Sequence, residues 1–330
     1  MNALRDPALL FFVLGLTAGA LRSNLEIPAP LSRFLSLYLL MAIGLKGGFA
    51  LAATGLSAPV AAALGCAVLL AVAVPLLDWT WLRRVLPPFD ALGVAATYGS
   101  VSAVTFVTAS HVLESQGQPA GGHMAAALAL METPALVLAL AMAQWARRGA
   151  VLPAGGGAAV LAGPGGVPPL GAALREALTE GGTVLLLGAL LVGLVSGADG
   201  AAALQPFTGD LFKGLLAVFL LDMGLVTARQ LPALRGLPPA LFGYALGAPL
   251  LHALLALGLA RLAGLGVSDG TLLAVLAASA SYIAVPAVLR HAVPEARPAV
   301  YMGLSLGVTF PFNLLLGIPL YQALAQRLLG

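Results

Sequence analysis

About ten stretches of this chain are each long and apolar enough to cross a lipid bilayer as a helix, and no other feature narrows the possible folds so far. They fall near residues 7–21, 33–53, 57–78, 91–113, 122–146, 181–198, 209–228, 236–263, 270–290 and 298–325. Inside hydrocarbon every backbone N–H and C=O has to be satisfied by the protein itself, and helices do this within a single segment. The expected class is therefore an all-α integral membrane protein. Composition points the same way: 60% of the residues are hydrophobic and 9% charged, against roughly a quarter charged in a soluble domain. The 16 bases and 13 acids are dispersed and form no basic stripe interleaved with aromatics, which excludes a nucleic-acid partner. Cys66 has no second thiol to pair with, so neither a disulfide framework nor a thiolate metal site can be built. Arg5 and Asp6 precede the first apolar stretch and no small-residue cleavage pattern follows it, so that stretch is expected to be a retained helix.

Clusters of Pro, Gly and charge separate the stretches, as in Arg83-Arg84-Val85-Leu86-Pro87-Pro88 and Pro294-Glu295-Ala296-Arg297-Pro298. The longest gap, residues 149–173, is rich in Gly, Pro and Ala and has no periodicity. It divides the chain into a first five-helix unit, 1–148, and a second, 174–330. Lys and Arg accumulate in cytoplasmic loops. With both termini outside, one side receives Arg22, Arg33, Arg83, Arg84, Arg147, Arg148, Arg175, Arg229, Arg235, Arg290 and Arg297, and the other only Arg5, Lys213, Arg261 and Arg327. An odd number of spans per unit inverts the second unit relative to the first. Internal similarity agrees: Met41-Ala42-Ile43-Gly44-Leu45 aligns with Leu221-Asp222-Met223-Gly224-Leu225 at an offset of 180, and Gly99-Ser100-Val101-Ser102 with Ala278-Ser279-Ala280-Ser281 at 179.

The serine pairs are the best candidates for a polar site. Ser100 and Ser102 lie about nine residues into the fourth span from the cytoplasm, and Ser279 and Ser281 about nine into the ninth from outside. At 1.5 Å per residue both reach about 13 Å into a core about 30 Å thick, so they are expected to meet near the midplane. Glycine at Gly99 permits close backbone approach, serine hydroxyls donate to an anion, and interrupted helices aim their first amides at it. Small residues and serines also serve close helix packing, and that reading stays open. No basic side chain lies in either motif, which suits a weakly charged, oxygen-rich anion.

Ionisable groups at membrane depth cost about 2.5–3.5 kcal/mol on insertion scales. Asp222, embedded in Leu220-Leu221-Asp222-Met223-Gly224, is the clearest case and is assigned to a sodium site, with an ion pair or proton relay as alternatives. Glu132, beside Pro134, and Asn313, in Phe310-Pro311-Phe312-Asn313, are further oxygen donors, as is Thr105 at helical spacing from the first serine pair. Lys46 either partners one of these acids or snorkels to the outer interface. Trp79, Trp81 and Trp145 read as interfacial anchors. His111, His123, His252 and His291 do not cluster, against a zinc site.

Four motifs carry a resemblance: Asp6-Pro7-Ala8-Leu9-Leu10-Phe11-Phe12-Val13-Leu14-Gly15, Ala42-Ile43-Gly44-Leu45-Lys46-Gly47-Gly48, Tyr98-Gly99-Ser100-Val101-Ser102-Ala103-Val104-Thr105-Phe106 and Ala278-Ser279-Ala280-Ser281-Tyr282-Ile283-Ala284-Val285-Pro286. Together they resemble the SbtA-type sodium-dependent bicarbonate symporters. The resemblance implies bicarbonate uptake across the plasma membrane with Na⁺ as coupling ion and no organic cofactor. It also implies core and gate domains in an inverted repeat, a homotrimer, and a cytoplasmic PII-like regulatory partner. It places the anion on Gly99, Ser100, Ser102, Ser279 and Ser281 and the intramembrane acid on Asp222. The central loop is short and poor in charge for a regulatory docking segment. A symporter of another anion shares these features but calls for a guanidinium or a larger apolar cavity, and no arginine is expected at serine depth. An intramembrane enzyme would need a histidine beside the serines or an aspartyl pair, and only Asp222 is expected to be deeply buried.

Overall fold

The computed structural model describes residues 6–55, 57–150, 179, 181–283, 285–286, 288–289 and 293–330. Among these there are no strands. The helices are α1 (Pro7–Ala20), α2 (Ala29–Thr54), α3 (Ala58–Leu82), α4 (Pro88–Gly99), α5 (Ala103–Ser115), α6 (His123–Ala150), α7 (Gly181–Gln205), α8 (Leu211–Gln230), α9 (Pro239–Leu262), α10 (Val267–Ala278) and α11 (Pro298–Leu329). Of the central linker, 149–173, all but the last two residues of α6 lie outside the described residues. His291 also lies outside them.

The starts obey local chemistry. Asp6 caps α1, its carboxylate accepting from the Ala8 and Leu9 amides at 2.9 and 3.4 Å, and Pro7 occupies the first position, where no N–H is needed. Proline opens α2, α3, α4 and α9 in the same way. α7 is kinked within its length at Gly197, whose φ of +52° disfavours any side chain, and a π-helical turn over Pro206–Asp210 then leads into α8. Two further π-helical turns, Ser305–Thr309 and Asn313–Gly317, widen α11. Six helical stretches among the described residues are long and apolar enough to cross a membrane, two of which join α4 with α5 and α7 with α8. α1 and α10 are shorter and also apolar.

Glycine sets the closest packing. α1 runs parallel to α8: a Cβ at Gly15 would lie 2.1 Å from the Leu221 carbonyl oxygen, and one at Gly224 2.2 Å from that of Phe12. α2 runs parallel to α7 in the same manner, with Gly44 and Gly48 against Leu186, Leu190 and Gly193. These backbones touch, and only glycine allows it. The other helices gather into a second bundle in which α3 packs on α4 and α6, and α10 on α9 and α11. Large apolar side chains such as Leu191, Val192, Val195, Leu251 and Leu254 point outward, as they do on a surface wetted by lipid.

Three expectations change. Trp79 is buried in the second bundle and serves packing, whereas Trp81 stacks on Tyr244 with ring centroids 5.2 Å apart and stays 38% exposed. Trp145's side chain is outside the described set. Asp78 and Asp90 are as deeply buried as Asp222, at 5, 3 and 4% exposure, since a carboxylate can be taken inside once a partner from another helix reaches it. For Asp90 that partner is Arg297, at 2.7 Å. Lys46 pairs with neither Asp222 nor Glu132: it reaches Glu114 of α5 at 2.7 Å and lies over the Phe212 ring.

Candidate functional site

Two helices break at the serine motifs. α4 stops at Gly99, Ser100 is extended (φ −97°, ψ 179°), and Ser102 caps α5, its hydroxyl accepting from the Thr105 amide at 3.2 Å and the Thr105 hydroxyl at 2.9 Å. α10 stops at Ala278, Ser279 is extended (φ −83°, ψ 165°), and the Ser281 hydroxyl accepts from the Val285 amide at 3.3 Å. Each leading helix is 12 residues long, about 18 Å at 1.5 Å per residue. That exceeds the expected depth because both helices begin three residues earlier than hydropathy suggested.

The breaks cross and are joined directly. The Ser102 amide donates to the Ser279 hydroxyl at 2.9 Å, and the Ser281 amide donates to the Thr97 carbonyl at 2.8 Å. Ser279 in turn donates to the Leu276 carbonyl at 2.9 Å. Gly99 is required at the crossing, because a Cβ there would lie 2.5 Å from the Pro75 side chain. All four serines are at most 4% exposed, and the Ser100 hydroxyl has no hydrogen-bond partner among the described residues. A buried polar atom left unpaired is costly. An extended, glycine-flanked backbone beside α5's first turn also leaves donors for a ligand.

Beside the crossing lies a cavity of about 230 Å³ lined by Ser102 and Ser281 together with Ser36, Arg33, Glu132 and Tyr282. Liquid water occupies about 30 Å³ per molecule, so the space accommodates a small solute with part of its hydration shell. Arg33, exposed near the start of α2, also lines this cavity. Ser100 and Ser279 do not line it; Ser279 ties the crossing behind it.

The four expected cation ligands are spread around the crossing. Thr105 is bonded to Ser102. Asn313 donates to the Ala278 carbonyl at 2.8 Å and accepts from the Tyr321 hydroxyl at 2.8 Å, which clamps the end of α10. Glu132 lines the cavity and accepts from the Thr183 hydroxyl at 3.2 Å. Asp222 accepts a hydrogen bond from Ser32. It stands one turn beyond the cavity-lining Phe219, while Ser32 adjoins Arg33. Sequence reasoning did not single out Ser32 and Ser36, although their i, i+4 spacing at the start of α2 marks one helix face. Among the described residues no three His, Cys, Asp or Glu side chains come together, so a hard cation here would draw on hydroxyl, amide and carbonyl oxygens.

The sequence model of the Na⁺-dependent bicarbonate transporter superfamily matches residues 7–326. The chain belongs to that superfamily. It is accordingly a multi-pass membrane transporter of a group named for sodium and bicarbonate. No individually curated protein matches it. In this superfamily member the match spans both serine motifs and every described helix.

Proposed function

We propose that this superfamily member is a secondary transporter that takes up bicarbonate with Na⁺ across the plasma membrane by elevator-like alternating access. The observation that carries this reading is the crossing of two broken helices, serine to serine, beside a hydrated-ion-sized cavity. Bicarbonate is held by the Ser102 and Ser281 hydroxyls and the first amides of α5, with Ser100 and Ser279 shaping the backbone and Gly99 admitting it. Sodium binds on the Asp222 side, with Glu132, Asn313 and Thr105 as further oxygen donors, and its charge strengthens an anion site that is weak alone.

The architecture proposed with it is ten spans in two inverted five-helix repeats, 1–148 and 174–330, joined by a cytoplasmic linker with both termini outside. Supporting it, Gly44 and Gly224, which align at an offset of 180, each pack on the first helix of the opposite half. The parallel pairs α1/α8 and α2/α7 would form the gate, and the second bundle the moving core. A homotrimer and a PII-like partner are added by the family resemblance alone.

Purified protein in proteoliposomes should accumulate labelled bicarbonate only under an inward Na⁺ gradient, and Asp222→Ala should abolish the Na⁺ dependence. Uptake indifferent to Na⁺ would sink the coupling. A second reading, a sodium symporter of a larger organic anion, is favoured by Arg33 and by the Leu37, Val104 and Leu186 side chains in the same cavity. Inhibition of bicarbonate uptake by an equimolar carboxylate would shift the choice to it.

A further inference from the structure

Away from the serine crossing, the third helices of the two halves each carry Pro-Leu-Leu followed by an ionisable residue, Pro75-Leu76-Leu77-Asp78 on α3 and Pro249-Leu250-Leu251-His252 on α9. The fold brings their last residues together: His252 Nε2 lies 3.0 Å from Asp78 Oδ1, and each residue is 5% exposed. Two polar atoms of the pair, Asp78 Oδ2 and His252 Nδ1, are buried without a hydrogen-bond partner among the described residues. A carboxylate in such a place needs a compensating positive charge, because an uncompensated buried charge destabilises a structure by several kcal/mol.

None of the described neighbours supplies one. α9 presents Tyr244, whose phenol adjoins Asp78. α4 presents Tyr98, bonded to Thr309 of α11 at 2.6 Å. Thr309 donates to the Ala245 carbonyl at 2.8 Å, which Pro249 leaves free. On α6, His123 is held by Asp269, and Glu132 lies at the cavity. Arg297 is committed to Asp90, while Arg83 and Arg84, beyond the end of α3, are exposed. Among the described residues, the charge left to balance Asp78 is a proton.

We propose that Asp78 and His252 form a proton-binding site inside the core, separate from the anion site and coupled to it. With neutral imidazole donating from Nε2, the pair carries −1. One proton from bulk water, taken on His252 Nδ1, brings the pair to zero. Coupling runs over a short path. Pro75, one turn before Asp78, packs on Gly99, and Tyr98 meets Tyr244 with ring centroids 5.0 Å apart. The deprotonated pair therefore places a negative charge directly behind the tip that holds the anion, and repels it. The proton is a ligand that licenses anion binding.

The transport half of the test rests on the bicarbonate reading. At fixed bicarbonate concentration and fixed Na⁺ gradient, wild-type uptake should fall as pH rises, approaching about tenfold per unit beyond the midpoint of the pair. Asp78→Asn, whose pair never carries a negative charge, should give a flat profile. His252→Gln, which leaves the carboxylate alone, should transport poorly at every pH. Nitrogen-15 NMR of histidine-labelled protein, with the His252 signal identified by its loss in His252→Gln, reports protonation without transport. In a series from about pH 5 to 9 it should show a His252 signal that responds to pH in wild type and responds differently in Asp78→Asn. An imidazole fixed in one state across that range, or an Asp78→Asn profile parallel to wild type, overturns the proposal. Absence of any wild-type bicarbonate uptake would instead refute the transport reading and leave the NMR titration to decide the proton site.

Discussion

Replacing Ser279 by alanine tests the helix crossing at its tightest point. The hydroxyl accepts the Ser102 amide at 2.9 Å and donates to the Leu276 carbonyl at 2.9 Å, and the residue is fully buried. Alanine leaves that amide with no acceptor, at a cost of about 1–3 kcal/mol. Because the amide belongs to the residue that caps α5, the loss is felt as disorder in the tip that binds the anion. The same energy expressed in binding is a factor of about 5 to 150. Ser279→Ala should therefore raise the KM for bicarbonate in proteoliposomes by that range and lower the melting temperature in detergent. Ser100→Ala is the companion, since its hydroxyl has no partner to lose among the described residues and does not line the cavity. It should leave both KM and the melting temperature unchanged. A Ser279→Ala protein with wild-type KM and wild-type melting temperature would refute the reasoning, because the crossing would then be mere packing.

Three further outcomes are expected. Gly224→Ala should lower the melting temperature, since its Cβ would meet the Phe12 carbonyl oxygen at 2.2 Å and overpacking costs about 1–3 kcal/mol; Gly243→Ala, with open space around it, should be neutral or slightly stabilising. Lys46→Gln should change stability by less than about 1 kcal/mol, because its pair with Glu114 is 30 and 39% exposed, and the same loss in Glu114→Gln alone as in the double variant would confirm that the two act as one pair. Burial tends to raise the Asp6 carboxyl, but the hydrogen bond and charge of His111 and the Ala8 and Leu9 amides outweigh it and hold it below its ordinary 3.8. Its stabilising contribution is thus complete above the unfolded value and is lost as pH falls through the lower folded one. Acid melts of wild type and Asp6→Asn should differ above that window and converge below it.

The linear chain showed a good deal of this. Apolar runs reveal the all-helical membrane class because the bilayer imposes helices one segment at a time, and six stretches among the described residues are long and apolar enough to cross. The four serines were legible as helix interruptions because glycine and serine are poor at mid-helix and good at caps. Gly44 and Gly224 stood out at a constant offset, and both turned out to sit where two backbones touch.

What the chain could not show is which polar group meets which across the bundle. Lys46 chose Glu114, 68 residues away, Asp222 chose Ser32, 190 away, and Asp78 chose His252, 174 away. Hydropathy measures how long a segment is, not how it is rotated about its axis, and a few tens of degrees decide which neighbour a side chain faces. Asp78 and Arg33 were passed over for that reason, one sitting near the end of a span and the other in a basic loop cluster. Helix crossing and rotation, set by glycine contacts and prolines distributed over the whole chain, turned the first into half of a buried pair and the second into a wall of the cavity.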